Sequence, residues 1–213
     1  MIGAQIQKLT EDLPQDVTLV AVSKTKPNSA IEEAYSVGHR DFGENKVQEL
    51  CQKAEELPND IRWHMIGHLQ RNKVKYMAPF VHLIHGVDSE RLLAEINKQG
   101  AKNNRVIRVL IQIHIAEESS KFGFSYEEAK ALFTNENQYP NVQIVGLMGM
   151  ATFTEDKTQI TREFETLSTF YNTWKAQKDL SVLSMGMSND YPIAIASGSN
   201  MIRVGSLIFG RRN

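Results

Sequence analysis

Strand-like and helix-like patterns of apolar residues alternate along nearly the whole chain. Short apolar runs, rich in β-branched residues or alternating with polar ones, are typical of β-strands. Eight such runs predict strands at Thr18–Ser23, Asp41–Gly43, Trp63–Ile66, Leu83–Gly86, Val106–Ile113, Ile144–Met150, Val182–Met187 and Met201–Val204.

The segments between these runs carry apolar residues at the three- and four-residue spacing of amphipathic helices. "NSAIEEAYSVGH" has Ser29 as a candidate cap and Gly38 as a stop, and "DSERLLAEINKQG" opens with an acidic cap and ends at Gly100. The longest, "TQITREFETLSTFYNTWKAQK", has an apolar stripe that predicts packing against a core.

Eight strands that alternate with helices predict a parallel sheet closed as a single (β/α)8 barrel, with an open doubly wound sheet as the competing architecture. Only "GSLIFGRRN" follows the last strand, which is too short for a full final helix. An amphipathic N-terminal segment, with Ile2, Ile6, Leu9 and Leu13 on one side, is the candidate to cover that gap. No linker or repeat divides residues 1–213, so we expect one domain.

Composition narrows the class of protein. The 213 residues are 41% hydrophobic and 23% charged, with a net charge of −1. That balance is ordinary for a globular protein and argues against general binding of nucleic acid or membrane surfaces. Cys51 is the only cysteine, which excludes an internal disulfide. The polar N-terminus and the lack of a long apolar run predict a cytoplasmic protein.

The first candidate for chemistry is Lys24, at the end of "VTLVAVSKTKP". Counting back by two, Lys24 shares one side of the strand with Val22, Val20 and Thr18. If that side faces the barrel, the amine lies at the barrel mouth in a partly apolar setting. Desolvation favours a neutral amine, which is the nucleophile that forms a Schiff base. Lys26, beside Pro27, is predicted to be an ordinary surface charge.

The second candidate group lies in "SMGMSNDYPIAIASGSNMIRVGSLIFG". Strand seven is expected to end near Met187, and residues 188–190 are a suitable helix cap. Gly205 and Ser206 follow strand eight at once, and such loops after strands seven and eight frequently bind phosphate in these barrels. Arg203 lies within the last apolar run, where a charged residue either extends to the surface or has a ligand or a carboxylate partner.

The histidines give a weaker signal. His82 and His85 lie three apart on one predicted strand, so they are expected to face opposite sides and not to share a metal. His64 and His68 flank a strand end with no third ligand at suggestive spacing. No metal site is predicted. The polar run at residues 117–121 predicts a solvated loop.

Several stretches together resemble the pyridoxal-phosphate homeostasis protein family, whose fold is similar to the barrel domain of alanine racemase. They are "LVAVSKTKP", "DFGENKVQEL", "WHMIGHLQRNKVK", "IHGVDSERL", "FGF", "GLMGMATF" and "LSMGMSNDYPIAIASGSNMIRVGSLIFG". They span nearly the full chain. The combination is specific, although no single stretch is.

The resemblance implies pyridoxal 5′-phosphate (PLP) as the cofactor, held by Lys24 as an internal aldimine. Arg203 resembles the arginine near the pyridine nitrogen, and such a residue would keep that nitrogen unprotonated. The positions that match the family's phosphate site and pocket wall are Ser188, Gly205, Ser206 and Asn45. Position 206 is serine where threonine is common, and both offer a hydroxyl and an amide. Met65 and Ile66 are expected to supply an apolar wall.

Two functions fit such a site, and a third fits it in part. One is a carrier that binds PLP and delivers it, with apo forms of PLP-dependent enzymes as candidate recipients. The other is a racemase-like enzyme, which needs an acid–base group on each face of its substrate. Because the sequence shows no second domain of the racemase type, we expect a monomeric carrier without clear turnover. A class I aldolase would explain Lys24 and the phosphate loops but not the resemblance.

Overall fold

Eight parallel strands close into a barrel in chain order in the computed structural model, which describes residues 1–118, 122–135 and 138–210. Residues 119–121 of the predicted solvated loop lie outside the described residues. The strands are β1 Thr18–Val22, β2 Asp41–Glu44, β3 Arg62–Met65, β4 Leu83–Val87, β5 Ile107–Gln112, β6 Val142–Met148, β7 Val182–Ser184 and β8 Met201–Val204.

Helices follow the strands and form the outer layer. They are α1 Ile2–Asp12, α2 Asn28–Ser36, α3 Val47–Glu56, α4 Val74–Met77, α5 Glu90–Lys102, α6 Tyr126–Thr134, α7 Lys157–Lys178, α8 Tyr191–Ala196 and α9 Ser206–Phe209, with a 3-10 turn at Arg71–Lys73. The first helix, α1, packs against α2 and α9. It therefore supplies the cover that the short segment after β8 cannot, as its amphipathic pattern predicts.

The pairing of β1 with β8 decides between the two architectures. Leu19 pairs with Ile202 and Val20 with Arg203, all in parallel register. This closure confirms the barrel, and the open doubly wound sheet is wrong.

The two-residue period of β1 separates interior from exterior. Val20 belongs to a small apolar cluster that fills the barrel, whereas Leu19 and Ala21 belong to the larger cluster between strands and helices. Successive side chains of a strand point to opposite faces. The alternation that predicts Lys24 on the barrel side is therefore confirmed within β1.

Strand seven is shorter than predicted, since β7 ends at Ser184 and not near Met187. Gly186 adopts a φ of 95°, a conformation that glycine reaches without steric cost and that extended strands do not use. The Met187 N–H then donates to the Asp190 carboxylate at 2.6 Å. The strand thereby ends three residues early, and the chain turns toward α8.

Several predicted helix boundaries are also wrong. Asn28 begins α2, preceded by Pro27, so Ser29 is not its cap. The side chain of Ser89 caps α5 by accepting the Leu92 N–H, and α5 continues past Gly100 to Lys102. Local sequence predicts helix ends only to within a few residues, because tertiary contacts decide where a helix begins and ends. Within the described residues, no helix is long and apolar enough to span a membrane.

Candidate functional site

A cavity of about 380 Å³ lies at the carboxyl ends of the strands, where β1, β3 and β8 meet their following loops. This is the end at which barrels of this kind place their active sites. All six residues proposed from the sequence line it, namely Lys24, Asn45, Ser188, Arg203, Gly205 and Ser206. The fold therefore brings them together from points as far apart as residues 24 and 206. Their roles toward a cofactor stay predictions.

The cavity has further lining residues that sequence reasoning missed. They are Val22, Lys26, Met150, Met187 and Gly210. Lys26 is half-buried, and its Nζ donates to the carbonyl oxygen of Phe209 at 2.9 Å, so its assignment as an ordinary surface charge is wrong. Strand alternation could not have found it, because β1 ends at Val22 and the chain turns at Thr25, between Lys24 and Lys26.

The predicted apolar wall is half correct. Ile66 lines the cavity, whereas Met65 is buried in the layer between strands and helices. Neighbouring residues on a strand face opposite sides, which is why only one of the two can reach the cavity. Next to them, a side chain at Gly67 would overlap the backbone of Asn45, so a glycine is required for Asn45 to keep its place.

The loop that carries Lys24 is held on both sides of that residue. The Ser23 hydroxyl donates to Glu44 Oε1 at 2.7 Å, and the Thr25 N–H donates to Glu49 Oε1 at 2.6 Å. Thr25 has a φ of 64°, a left-handed conformation that is costly for a β-branched residue. Such a conformation persists where the surroundings impose it, and here the Glu49 carboxylate does so.

Lys53 joins these contacts into one network. Its Nζ donates to the Ser23 carbonyl at 2.9 Å, to Glu44 Oε1 at 2.8 Å and to Glu49 Oε1 at 2.7 Å. Lys53 is 5% exposed and Glu44 is fully buried. Burial raises the pKa of Glu44, and the hydrogen bonds from Lys53 and Ser23 oppose that rise. We call Ser23, Glu44, Glu49 and Lys53 the loop clamp.

The loops after β7 and β8 are tied to each other. The Gly205 N–H donates to Ser188 Oγ at 3.3 Å, which joins two of the predicted phosphate residues. A Cβ at position 205 would lie 3.2 Å from the Val22 carbonyl oxygen, so the loop passes close to the end of β1. Ser206 begins α9 directly after this approach.

Arg203 is buried at the base of the cavity, with 4% of its surface exposed. Its Nη1 donates to Ser184 Oγ at 2.5 Å and to the Ser184 carbonyl at 3.1 Å, and its Nη2 donates to the Gly149 carbonyl at 3.3 Å. Burial lowers the pKa of Arg203 to about 10, which leaves the guanidinium charged at neutral pH. The partners closest to it are neutral, so the predicted carboxylate partner is not among these three bonds.

A cluster of histidines occupies the barrel interior. The ring centroids of His82 and His85 lie 5.3 and 5.2 Å from that of His64, so the prediction that they face opposite sides is wrong. His82 precedes β4 and does not follow its alternation. Asp41, His64 and His82 place ligand-type atoms within 4.8 Å of one another, a convergence of three strands that spacing along the chain cannot reveal.

Arginines next to this cluster disfavour a cation there. Arg62 forms a two-bond ion pair with Asp41, at 2.7 Å from Nε and 2.5 Å from Nη2. Arg108 Nη1 lies 3.4 Å from His82 Nε2. Two positive charges would repel a metal ion, and the carboxylate is already neutralised. We therefore interpret the cluster as a hydrogen-bond network.

Comparison with known proteins places the chain in a family. The family described as alanine racemase, N-terminal domain, matches residues 2–213. A pyridoxal phosphate homeostasis protein from Aquifex aeolicus (strain VF5) is 40% identical over 197 residues, which cover 91% of this chain and 86% of the relative.

The solved structures of PipY from Synechococcus elongatus PCC7942 are similar throughout. The structure without PLP is 36% identical, with a TM-score of 0.94. The structure with PLP bound is 35% identical, with a TM-score of 0.90. Both matches cover 99% of this chain and 100% of the other. The chain thus belongs to the pyridoxal phosphate homeostasis protein family, which has the fold of the alanine racemase N-terminal domain.

Proposed function

We propose that this protein binds PLP in the cavity at the barrel mouth and holds it without turnover of its own. The proposal rests on one observation: a lysine, two serines, a glycine and a buried arginine line a single cavity of about 380 Å³. A cavity of that size suits a small cofactor. The PLP-bound structure of the relative PipY supports the choice of ligand.

Lys24 is the residue that we assign to covalent attachment. When bound, the cofactor supplies an aldehyde that condenses with a primary amine and an electron-withdrawing pyridine ring. Lys24 follows β1 on the interior side of the strand, and the loop clamp fixes the residues before and after it. The second cavity amine, on Lys26, donates to the Phe209 carbonyl.

Ser188, Gly205 and Ser206 are the residues that we assign to the phosphate. They offer two hydroxyls and backbone N–H groups at the start of a helix, where the first amides have no partner within the helix. The bond between Gly205 and Ser188 keeps the two loops together. Asn45 and Ile66 contribute the facing wall.

Arg203 is assigned to the pyridine nitrogen. A guanidinium donates hydrogen bonds and does not accept them, so this nitrogen would accept a hydrogen bond and stay unprotonated. An unprotonated ring is a weaker electron sink, which reduces its power to stabilise a carbanion. Because the resemblance gives alanine racemase an arginine at the same place, this residue does not by itself distinguish a carrier from a racemase-like enzyme.

The titratable groups that line the cavity favour a carrier over a racemase. Among the described lining residues, they are Lys24, Lys26 and Arg203. Racemisation needs a proton donor and acceptor on each face, and an arginine cannot give up its proton. A racemase-like enzyme with Lys26 as the second base is the alternative. The relatives' shared name, pyridoxal phosphate homeostasis protein, supports the carrier.

Reconstitution with PLP tests the binding proposal. We expect a visible absorption band in the wild-type protein, its loss in Lys24→Ala and its retention in the matched variant Lys26→Ala. Borohydride reduction and peptide mass mapping should place the label on Lys24. A label on Lys26, or a colourless wild-type protein, would refute the assignment.

Incubation of the loaded protein with L- or D-alanine separates carrier from enzyme. We expect no measurable interconversion, because the described lining residues offer only Lys26 as a second acid–base group beside Lys24, and its amine donates to the Phe209 carbonyl. Robust turnover that disappears in Lys26→Ala would establish the racemase-like alternative instead.

A further inference from the structure

A continuous line of buried polar side chains crosses the barrel interior from Arg203 to Asp41. Arg203 on β8 contacts Ser184 on β7, whose Oγ lies 3.3 Å from His85 Nδ1 on β4. His85 Nε2 lies 2.9 Å from His64 Nδ1 on β3, and His64 Nε2 lies 3.0 Å from Asp41 Oδ1 on β2. Ser184 and His85 are fully buried and His64 is 1% exposed. We call these five residues the interior chain.

The donor at the Arg203 end sets the direction of the first two bonds. A guanidinium has only donors, so the Ser184 hydroxyl must accept from it. Each hydroxyl has one proton to donate, and the His85 Nδ1 atom is the remaining partner of Ser184 Oγ in the described structure. His85 therefore accepts at Nδ1 and carries its own proton on Nε2.

The same rule continues to the far end. His85 donates from Nε2 to His64 Nδ1, so His64 carries its proton on Nε2 and donates it to Asp41. Burial holds the pKa of His85 well below its usual range, and the positive charge of Arg203 acts in the same sense. Hydrogen bonds from Arg62 and His64 overcome the effect of burial and hold the pKa of Asp41 low, so its carboxylate accepts.

A protonated His64 would produce the opposite arrangement. As an imidazolium, His64 would donate to both Asp41 and His85, and His85 would then donate from Nδ1 to Ser184. That state adds a second buried cation to Arg203, although the Asp41 carboxylate already pairs with the exposed Arg62. It also leaves the Ser184 hydroxyl with two donors and no acceptor. Both effects cost free energy in a dry interior.

We propose that Ser184, His85 and His64 are positioning residues that orient the Arg203 guanidinium through a one-directional hydrogen-bond chain ending at Asp41. Both histidines are neutral and protonated on Nε2. Positive charge stays at one end and negative charge at the other, so the guanidinium presents a fixed donor to the cavity. The consequence for PLP rests on the proposed function, whereas the chain itself is a property of the unliganded protein.

Nitrogen NMR of the ¹⁵N-histidine-labelled protein without cofactor tests the chain directly. At neutral pH we expect both rings to be neutral, with protonated Nε2 and hydrogen-bonded, unprotonated Nδ1. An imidazolium at His64, or a proton on His85 Nδ1, would overturn the proposal. His64→Gln and His85→Gln, each lacking one set of signals, supply the assignment.

Ser184→Ala is the variant that breaks the chain at its second bond. The His85 Nδ1 resonance should then move toward that of a nitrogen without a hydrogen bond. Ser199→Ala is the matched control, because Ser199 is a buried serine whose hydroxyl contacts only backbone groups near the same strands. An unchanged His85 signal in Ser184→Ala would contradict the chain.

The release rate of PLP tests the consequence for the cofactor. Loss of a hydrogen bond to a charged group should make release from Ser184→Ala about tenfold faster, with the Lys24-dependent band retained. Ser199→Ala should release PLP at the wild-type rate. Equal release from the two variants would remove the positioning role. A wild-type protein with no Lys24-dependent band would instead refute the proposed function, and the NMR result would still decide on the chain.

Discussion

Two buried polar networks lie behind the same cavity, the loop clamp beside Lys24 and the interior chain behind Arg203. The clamp places one oxygen of each of two glutamates within 2.8 Å of a single lysine Nζ. The chain separates its charges, with neutral side chains between a guanidinium and a carboxylate. One network fixes a backbone loop, and the other fixes a side chain.

The difference follows from where each network lies. The clamp sits between β2, α3 and the loop after β1, where a helix can offer Glu49 and Lys53 from successive turns. In the barrel interior, the bonds described for Arg203 go to neutral groups, and neutral side chains span the distance to Asp41. A charge can therefore be held in place either by an adjacent opposite charge or by oriented dipoles.

The largest expected effect comes from breaking the clamp at its cation. Lys53→Met leaves the Glu44 and Glu49 carboxylates without their shared partner, and we expect the free energy of unfolding to fall by about 3–5 kcal/mol. Urea denaturation measures the change. Lys8→Met, which replaces an exposed lysine of α1, should change stability by less than about 0.5 kcal/mol.

A double variant sharpens that result. Glu44→Gln combined with Lys53→Met removes the stranded buried charge, so it should be more stable than Lys53→Met alone by about 2 kcal/mol. If the effects of the two substitutions on the free energy of unfolding are simply additive, Glu44 and Lys53 do not form the pair described.

The pH dependence of the free energy of unfolding should distinguish Asp41 of the interior chain from Glu44 of the loop clamp. The pKa of Asp41 is lowered by folding, so its stabilisation is present above the unfolded pKa of about 4 and is lost as pH falls below it. The pKa of Glu44 is raised, so stability contributed by this group increases as pH falls through its folded pKa. The two groups therefore oppose each other.

Denaturation curves from pH 7 to pH 3 check these signs. Asp41→Asn should flatten the acid loss of stability by roughly 1.3 kcal/mol at pH 3, which is the most that an unfolded pKa of about 4 allows over this range. Glu44→Gln should instead make the net loss steeper, since it removes the group that gains on acidification. The same direction in both variants would show that one of the two assignments is wrong.

The smallest expected effect concerns strain in the Lys24 loop. Thr25→Gly keeps the backbone N–H that Glu49 binds but removes the cost of φ 64°, so we expect a gain of about 1 kcal/mol. Asn104→Gly is the matched control, at φ 51°, and should gain less because asparagine tolerates this region. Equal gains, measured by urea denaturation, would show that Thr25 is not strained by its side chain.

Much of the fold was predictable because local patterns carry it. The period of two along β1 predicted which residues enter the barrel, and Val20 confirms it. The count of eight strands predicted closure, which the β1–β8 pairing confirms. Ends were predicted less well, as at β7, where Gly186 and the bond between Met187 and Asp190 redirect the chain.

The candidate site was predictable where residue type and strand position coincide. Lys24, Arg203 and the residues after β8 stand at strand ends, and parallel strands in a barrel bring such ends to one face. Lys53 was not predictable, because its pattern in α3 is that of an exposed helical lysine. Neither was the interior chain, since a residue's partner across the barrel leaves no trace in local sequence.

The sequence by itself determined the alternation of strands and helices, the side of β1 that carries Lys24 and the residues that gather at the barrel mouth. These follow from backbone periodicity and from the rule that parallel strands end together. Only the tertiary structure decided which buried charges meet, that Lys26 reaches the cavity and that Arg203 connects through Ser184, His85 and His64 to Asp41. The single contact between Lys26 and Phe209 joins residues 183 positions apart, and such geometry exists only after the barrel has closed.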